Sequence, residues 1–402
     1  MATRSVLIES EHTRAENERR RAITFSTKLR RLDVLLLAAL AGIAVLGLDA
    51  LAQGGGNAAL VLRQRIYLLV GALAFAVFSL IDVELLRRYQ WWFYSTTIGL
   101  IAGVFAFGRV TRGSARWIQL PSFQLQPSEF GKLALLLALA AFIADRADRI
   151  QTTRFVLLCL GYAAIPIVLV FIEPDLGTSL VYVASLLVVL FIAGVRARLF
   201  AAFGLVLVLV AVGVLWALPR AGVEVLKPYQ TARLTSFLHP AADRQNTGFN
   251  QYQAGIAVGA GGMAGRGASG ATQSASNLLP EDTTDFAFAS YAEQRGFVGA
   301  VILLALYLVV LWRVLRTVAI ARTLYGRLIA SGVFGWLLAS IVINIGMNIG
   351  VAPVTGIPLP LVSFGGSNTV TLLAALGVVQ AISLRSRLPV RARNDRIVDE
   401  HS

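Results

Sequence analysis

The chain is predicted to be an all-α, polytopic membrane protein. Of its 402 residues 56% are hydrophobic and only 14% charged. Its mean hydropathy is +0.70, and its apolar residues gather into runs long enough to cross a bilayer. A soluble domain carries roughly a quarter charged residues, so this composition argues against that class. Runs of about 17 apolar residues or more fall at 32–52, 66–82, 91–108, 130–146, 155–173, 176–194, 199–219, 286–312, 328–350 and 367–384.

The formal net charge is +14, from 36 Lys and Arg against 22 Asp and Glu. That balance alone would suit a nucleic-acid binder, but the positions of the charges argue for topology instead. Arg19, Arg20, Arg21, Lys28, Arg30 and Arg31 precede the first run, and Arg385, Arg387, Arg391, Arg393 and Arg396 follow the last. Arg87 and Arg88, Arg146 and Arg149, Arg196 and Arg198, then Arg313, Arg316, Arg322 and Arg327 fall on alternate connections. Basic residues mark the cytoplasmic side, so both termini are expected there, with lipid around the bundle and no nucleic acid partner. The expected organisation is a cytoplasmic extension at 1–31, a ten-span membrane domain at 32–384 with a long extracytoplasmic loop at 219–285, and a cytoplasmic tail at 385–402. The polar N-terminus lacks an early apolar region, so the first span is expected to act as signal anchor. Cys159 is the single cysteine and lies in a predicted span, which leaves no intrachain disulfide to form.

The outer segment 109–129 carries Arg109, Arg112 and Arg116 where the charge rule does not expect them. They anchor to lipid phosphates beside Trp117, or they attract an anionic ligand. The segment ends in Gln126-Pro127-Ser128-Glu129 ahead of a helix from Phe130. Early Pro, a Ser cap and Glu are ordinary helix-start chemistry. Lys132 is not, because a cation in the first turn opposes the helix dipole and needs Glu129, one turn back, or a bound anion.

Glu173-Pro174-Asp175-Leu176-Gly177-Thr178 reads first as a tight turn, and its acids also suit a cation or a sugar hydroxyl. Between spans seven and eight, Tyr229 to Leu238 and Phe249 to Gly262 read as short surface helices. The Gly-rich run 255–270 lacks the Lys-Ser/Thr ending of a nucleotide loop. Glu281, Asp282 and Asp285 then stand at the mouth of span eight, which also contains Glu293 and Arg295. A carboxylate near hydrocarbon is costly, so this helix is expected to line a polar cavity. Glu293 and Arg295 are two apart and face different ways, so any ion pair must use other helices. After Asn344 and Asn348, the Pro- and Gly-rich stretch to Ser363 and Ser367 suggests a re-entrant segment.

These motifs, in this order, resemble the SEDS family (shape, elongation, division and sporulation), the RodA and FtsW proteins of bacterial cell-wall synthesis. The resemblance runs from about residue 60 to 385. It rests on Ser114 to Ile118, Gln126 to Glu129, Pro174 to Thr178, Pro280-Glu281 with Thr284-Asp285-Phe286, Asn344 with Met347, and Pro353 to Ser367. Gly356-Ile357-Pro358-Leu359-Pro360 is nearer the RodA branch.

The resemblance implies a peptidoglycan glycosyltransferase of the bacterial cytoplasmic membrane that polymerises lipid II on an undecaprenyl-pyrophosphate-linked strand, for cell-shape maintenance or elongation. A class B penicillin-binding protein is the implied transpeptidase partner, and Mg²⁺ or Mn²⁺ the implied cofactor, with Asp285 its candidate ligand. Asp285 is the implied catalytic base. Glu129, Lys132, Arg112, Arg116, Asp175, Glu281, Ser363 and Ser367 are the substrate-binding candidates. Thr283 stands where many members have His, Gln294 and Arg295 replace a Glu and an apolar residue, and Phe364 replaces Tyr. Rival readings are a lipid-linked sugar flippase and a non-catalytic scaffold.

Overall fold

The structure, a computed structural model, describes residues 32–54, 57–107, 109–111, 114–119, 124–173, 175–213, 220, 248–271 and 281–386. Within them, apolar helices occupy all ten predicted runs. They are α1 (Val34–Gln53), α2 (Ala58–Leu80), α4 (Gln90–Phe107), α5 (Pro127–Ala144), α6 (Thr153–Ile172), α7 (Leu176–Ile192), α8 (Ala197–Val212), α11 (Ala287–Ile320), α12 (Leu324–Asn348) and α13 (Gly366–Ser386). Seven, α1, α2, α5, α6, α11, α12 and α13, are long and apolar enough to cross a membrane, while Leu176–Ile192 and Ala197–Val206 are shorter apolar helices. Short helices α3 (Val83–Arg88), α9 (Phe249–Ala260) and α10 (Gly267–Gly270) join them.

Helix α2 starts eight residues ahead of its apolar run. Asn57 caps it by accepting from the Leu60 amide at 2.9 Å, so Arg63, Gln64 and Arg65 interrupt the hydropathy and not the helix. The core is built on α13, α5 and α12, whose most apolar stretches are 94%, 78% and 72% buried, against 22% for α2. Helix α2 therefore turns one face to α13 and leaves Leu62, Ile66, Leu69 and Leu73 exposed.

The described residues within 109–125 depart from the expected loop. They form a three-stranded antiparallel sheet of β1 (Arg109–Thr111), β2 (Ser114–Gln119) and β3 (Gln124–Leu125), with Thr111 opposite Ser114 and Ile118 opposite Leu125. Polar and apolar residues alternate from Ser114 to Trp117, and Ile118 breaks the pattern. Tyr229 to Leu238, the extension 1–31 and the tail beyond 386 lie outside the described residues.

Several basic residues read only as topology markers are also ion-paired at the opposite end of the bundle. Asp33 caps α1 and accepts from Arg313 Nε of α11 at 2.8 Å, both side chains being buried. Arg87 pairs with Asp145, and Arg385 with Asp82.

Helix α11 is broken. Gly296 has φ +65° and ψ −166°, and the connection after α9 fills the gap. The Arg266 amide donates to the Glu293 carbonyl at 3.0 Å, while the Phe297 and Val298 amides donate to Gly262 and Met263 carbonyls at 2.8 and 3.2 Å. These bonds replace those that the break removes. A Cβ on Gly296 would lie 2.3 Å from the Gly265 amide nitrogen, and one on Gly265 2.2 Å from the Gln294 carbonyl oxygen, so the splice requires glycine on both strands. The segment 297–320 is about 36 Å long and crosses a bilayer unaided. The expected span beginning at Asp285 is corrected accordingly: 287–295 is a separate half-helix ahead of the spanning part.

Candidate functional site

Of the predicted site residues, Asp175, Glu281, Asp285, Ser363 and Ser367 collect at one end of the bundle, around the segment 349–365. Asp285 lies in a turn, 281–286, that precedes α11. The Thr284 and Phe286 amides both donate to the Glu281 carbonyl at 3.1 Å, and Thr284 Oγ1 donates to Glu281 Oε2 at 3.0 Å. Glu281 itself has φ +59°, and Leu361, in the segment opposite, has φ +62°. Left-handed backbone at non-glycine residues costs about 1–3 kcal/mol and concentrates where function over-determines the chain.

The Asp285 side chain is half-buried. Its carbonyl accepts from Asn344 Nδ2 at 3.0 Å and Asn348 Nδ2 at 3.2 Å, while Asn348 Oδ1 accepts from the Ala289 amide at 3.0 Å. The turn is also tied to the 349–365 segment, since the Phe364 amide donates to the Thr283 carbonyl at 2.8 Å and Ser363 Oγ donates to the Thr284 carbonyl.

Ser363 and Ser367 are braces. Ser363 Oγ accepts from the Leu359 amide at 2.8 Å; Ser367 Oγ accepts from the Gln126 amide at 3.0 Å and donates to the Gln124 carbonyl at 2.9 Å. Each hydroxyl has its one proton committed. Asp175 caps α7 through Thr178 at 3.1 Å and accepts from Gln126 Nε2 at 3.1 Å. A Cβ on the neighbouring Gly177 would lie 2.6 Å from the Thr355 carbonyl oxygen, so that motif packs directly on the same segment.

Lys132 and Glu129 form the expected pair, buried to 5% and 2% exposure. Lys132 Nζ is 2.8 Å from each carboxylate oxygen, donating along the line to Oε1, and stands 4.5 Å from the centre of the Trp336 ring. The expected Ser cap is corrected: α5 begins at Pro127 after Gln126, and Ser128 Oγ is buried in the first turn without a hydrogen-bond partner. Lys132 lines a small cavity with Leu135, Leu136, Leu139, Tyr182, Ser185 and Leu186. A second cleft, between α1 and the 287–295 half-helix, is lined by Asp282, Thr283 and Ser290 among others. The two share no residue, so Lys132 and the acidic turn line separate clefts. Glu293 is fully buried, and Arg295 pairs with Asp49 of α1. Arg112 lies outside the described residues, and of Arg116 only the backbone, in β2, is described.

Sequence reasoning missed Gln64, Asn344 and Asn348 as site-building groups. Gln64 Oε1 accepts from the Gly365 amide at 3.2 Å. An amide side chain in an otherwise apolar helix was the available signal. Trp336 carries no such signal.

An all-α bundle that gathers an acidic turn, a buried Lys–Glu pair and a broken, glycine-rich segment at one end defines a polytopic membrane protein with a polar working face. The chain belongs to the FtsW/RodA/SpoVE family of cell cycle proteins, whose profile it matches over residues 28–388. It is 35% identical over 367 residues to the peptidoglycan glycosyltransferase MrdB of Escherichia coli (strain K12), covering 91% of this chain and 96% of that one. It is 36% identical over 334 residues to stage V sporulation protein E of Bacillus subtilis (strain 168), covering 81% and 87%. Among solved structures, a chain from "Structural coordination of polymerization and crosslinking by a peptidoglycan synthase complex" superposes with a TM-score of 0.77 at 31% identity, covering 89% of this chain and 99% of that one. The Thermus thermophilus rod shape determining protein RodA superposes with a TM-score of 0.65 at 28% identity, covering 89% and 98%.

Proposed function

We infer that this chain is a peptidoglycan glycosyltransferase of the RodA type, joining lipid II into β-1,4-linked glycan at the outer face of the cytoplasmic membrane. The named relatives support the class of reaction. The observation that carries the site is the half-buried Asp285, whose backbone is fixed by Asn344 and Asn348. With both termini cytoplasmic, the 281–286 turn faces the outer water.

In this reading Asp285 takes the proton of the acceptor sugar's 4-hydroxyl as that oxygen bonds to the donor's anomeric carbon. The carbon–oxygen bond to pyrophosphate breaks, and undecaprenyl pyrophosphate leaves with the electron pair. A positioned base supplies about 10²- to 10⁴-fold in rate. Lys132, held by Glu129, with Arg112 and Arg116, supplies positive charge for the leaving diphosphate. Ser363, Ser367 and Asp175 act by shaping the binding surface, and Glu281 by setting the turn.

Among the described residues no three His, Cys, Asp or Glu side chains group to hold a metal. A hard cation such as Mg²⁺ is often held by one or two carboxylates with phosphate oxygens completing the shell, and Asp285 fits as that protein ligand. Such an ion would neutralise diphosphate charge. A class B penicillin-binding protein is the proposed partner, supported by the similarity to a chain of a complex described as coordinating polymerization and crosslinking.

The test is the purified chain with lipid II in detergent. Asp285→Asn is expected to cut polymer formation about 10²-fold or more with the fold intact by thermal melt. Full activity in that variant removes the assignment, and lipid movement without a new glycosidic bond, by mass analysis, favours a flippase.

A further inference from the structure

The break at Gly296 separates the half-helix 287–295 from the spanning part of α11. The acidic turn therefore cannot take its position from the transmembrane segment alone. Two sets of contacts hold the half-helix. One is the backbone splice with residues 262–266. The other is the outer end of α1, where Arg295 pairs with Asp49 Oδ2, Gln53 Nε2 donates to Asp49 Oδ1, and Gln294 Nε2 donates to the Ala50 carbonyl at 3.3 Å.

We propose that Arg295, through Asp49, is a positioning residue that seats the half-helix against α1 and so sets where Asp285 stands over the substrate. This rests on the glycosyltransferase reading above. Two observations favour geometry over stability as the role of the pair. Its side chains are 44% and 32% exposed, and ion pairs that open contribute little to folding. It also sits at the last residue before the break, where a small tilt is carried along about 13 Å of helix to the turn. The cleft lined by Ala50, Gly54, Asp282, Thr283 and Ser290 lies between the two elements that the pair joins, so the pair sets its width.

The full-length chain is tested with lipid II as Asp49→Arg, Arg295→Asp, their double swap, and Arg295→Lys. Each reversal is expected to lower kcat about tenfold with KM changed less than about twofold, which marks an interaction expressed in the transition state. The swap and Arg295→Lys are expected to return most of the loss. A second readout does not use activity. In a Cys159→Ala background, Gly54→Cys with Ser290→Cys probes the α1 contact, because a Cβ on Gly54 would stand 2.9 Å from Ser290 Oγ. Mild oxidation is expected to cross-link this pair, less so with either reversal, and again with the swap. Reversals that leave kcat unchanged, or a swap that fails to recover it, overturn the proposal. If the unchanged chain makes no polymer, the functional reading fails separately, and a cross-link yield indifferent to charge reversal then overturns the positioning role.

Discussion

The Asn344 side chain donates to the carbonyl oxygens of Asp285 and Ile357 at 3.0 and 2.7 Å. One amide group thus joins the turn that carries the proposed base to the segment that braces the rest of the site. Asn344→Ala strands the Ile357 carbonyl and leaves that of Asp285 to Asn348 alone, at a cost of about 1–3 kcal/mol, and is expected to lower kcat for lipid II polymerisation. Asn344→Asp keeps the size but faces both carbonyls with an acceptor, so it is expected to be at least as damaging. Activity of Asn344→Asp at the level of the unchanged chain would refute this.

Lys132→Met alone leaves Glu129 buried and unpaired, an expected loss of about 3–5 kcal/mol read as a lowered Tm. Adding Glu129→Gln is expected to restore much of the Tm without restoring polymerisation. Recovery of both would make the pair purely structural.

Gly296→Ala and Gly265→Ala each place a methyl within 2.3 Å of the opposing backbone, whereas a Cβ on Gly259 meets nothing within 4 Å. The first two are expected to lower Tm by several degrees and the third to leave it near unchanged. Hydrogen exchange at Phe297 and Val298, whose amides close the splice, is expected to quicken only in the first two.

Asp145 gives a pH signature at the other end of the bundle. Burial raises its pKa, but hydrogen bonds from Arg87 and Gln90 and the Arg87 charge outweigh that and hold it below the ordinary value. A depressed carboxyl stabilises the fold above its unfolded pKa, about 4, and loses that stabilisation as pH falls through the folded value. The pair is one-third exposed, so its contribution is under about 1 kcal/mol. Asp145→Asn is expected to melt slightly lower than the unchanged chain at pH 7, the gap closing as pH falls through the depressed folded value.

The ten apolar helices were legible because hydropathy over about 20 residues is a local signal. So was the Glu129–Lys132 pair, because its partners lie one helical turn apart. The break at Gly296 was not, since it depends on residues 262–266 supplying hydrogen bonds from some thirty positions away. The pairing of Arg295 with Asp49 was illegible for the same reason: the sequence shows an unpaired charge in a span and cannot say which helix meets it. The strands of 109–125 were obscured by length, six residues at most being too few for periodicity to stand out.

The helix at the centre of the bundle, α13, follows every other described helix in the chain. The Gln64 side chain and the Gln126 amide, which donate to the Thr369 and Ser367 hydroxyls, lack those acceptors until that helix is in place. A nascent chain halted before residue 366 thus offers membrane quality control a bundle without its most buried helix.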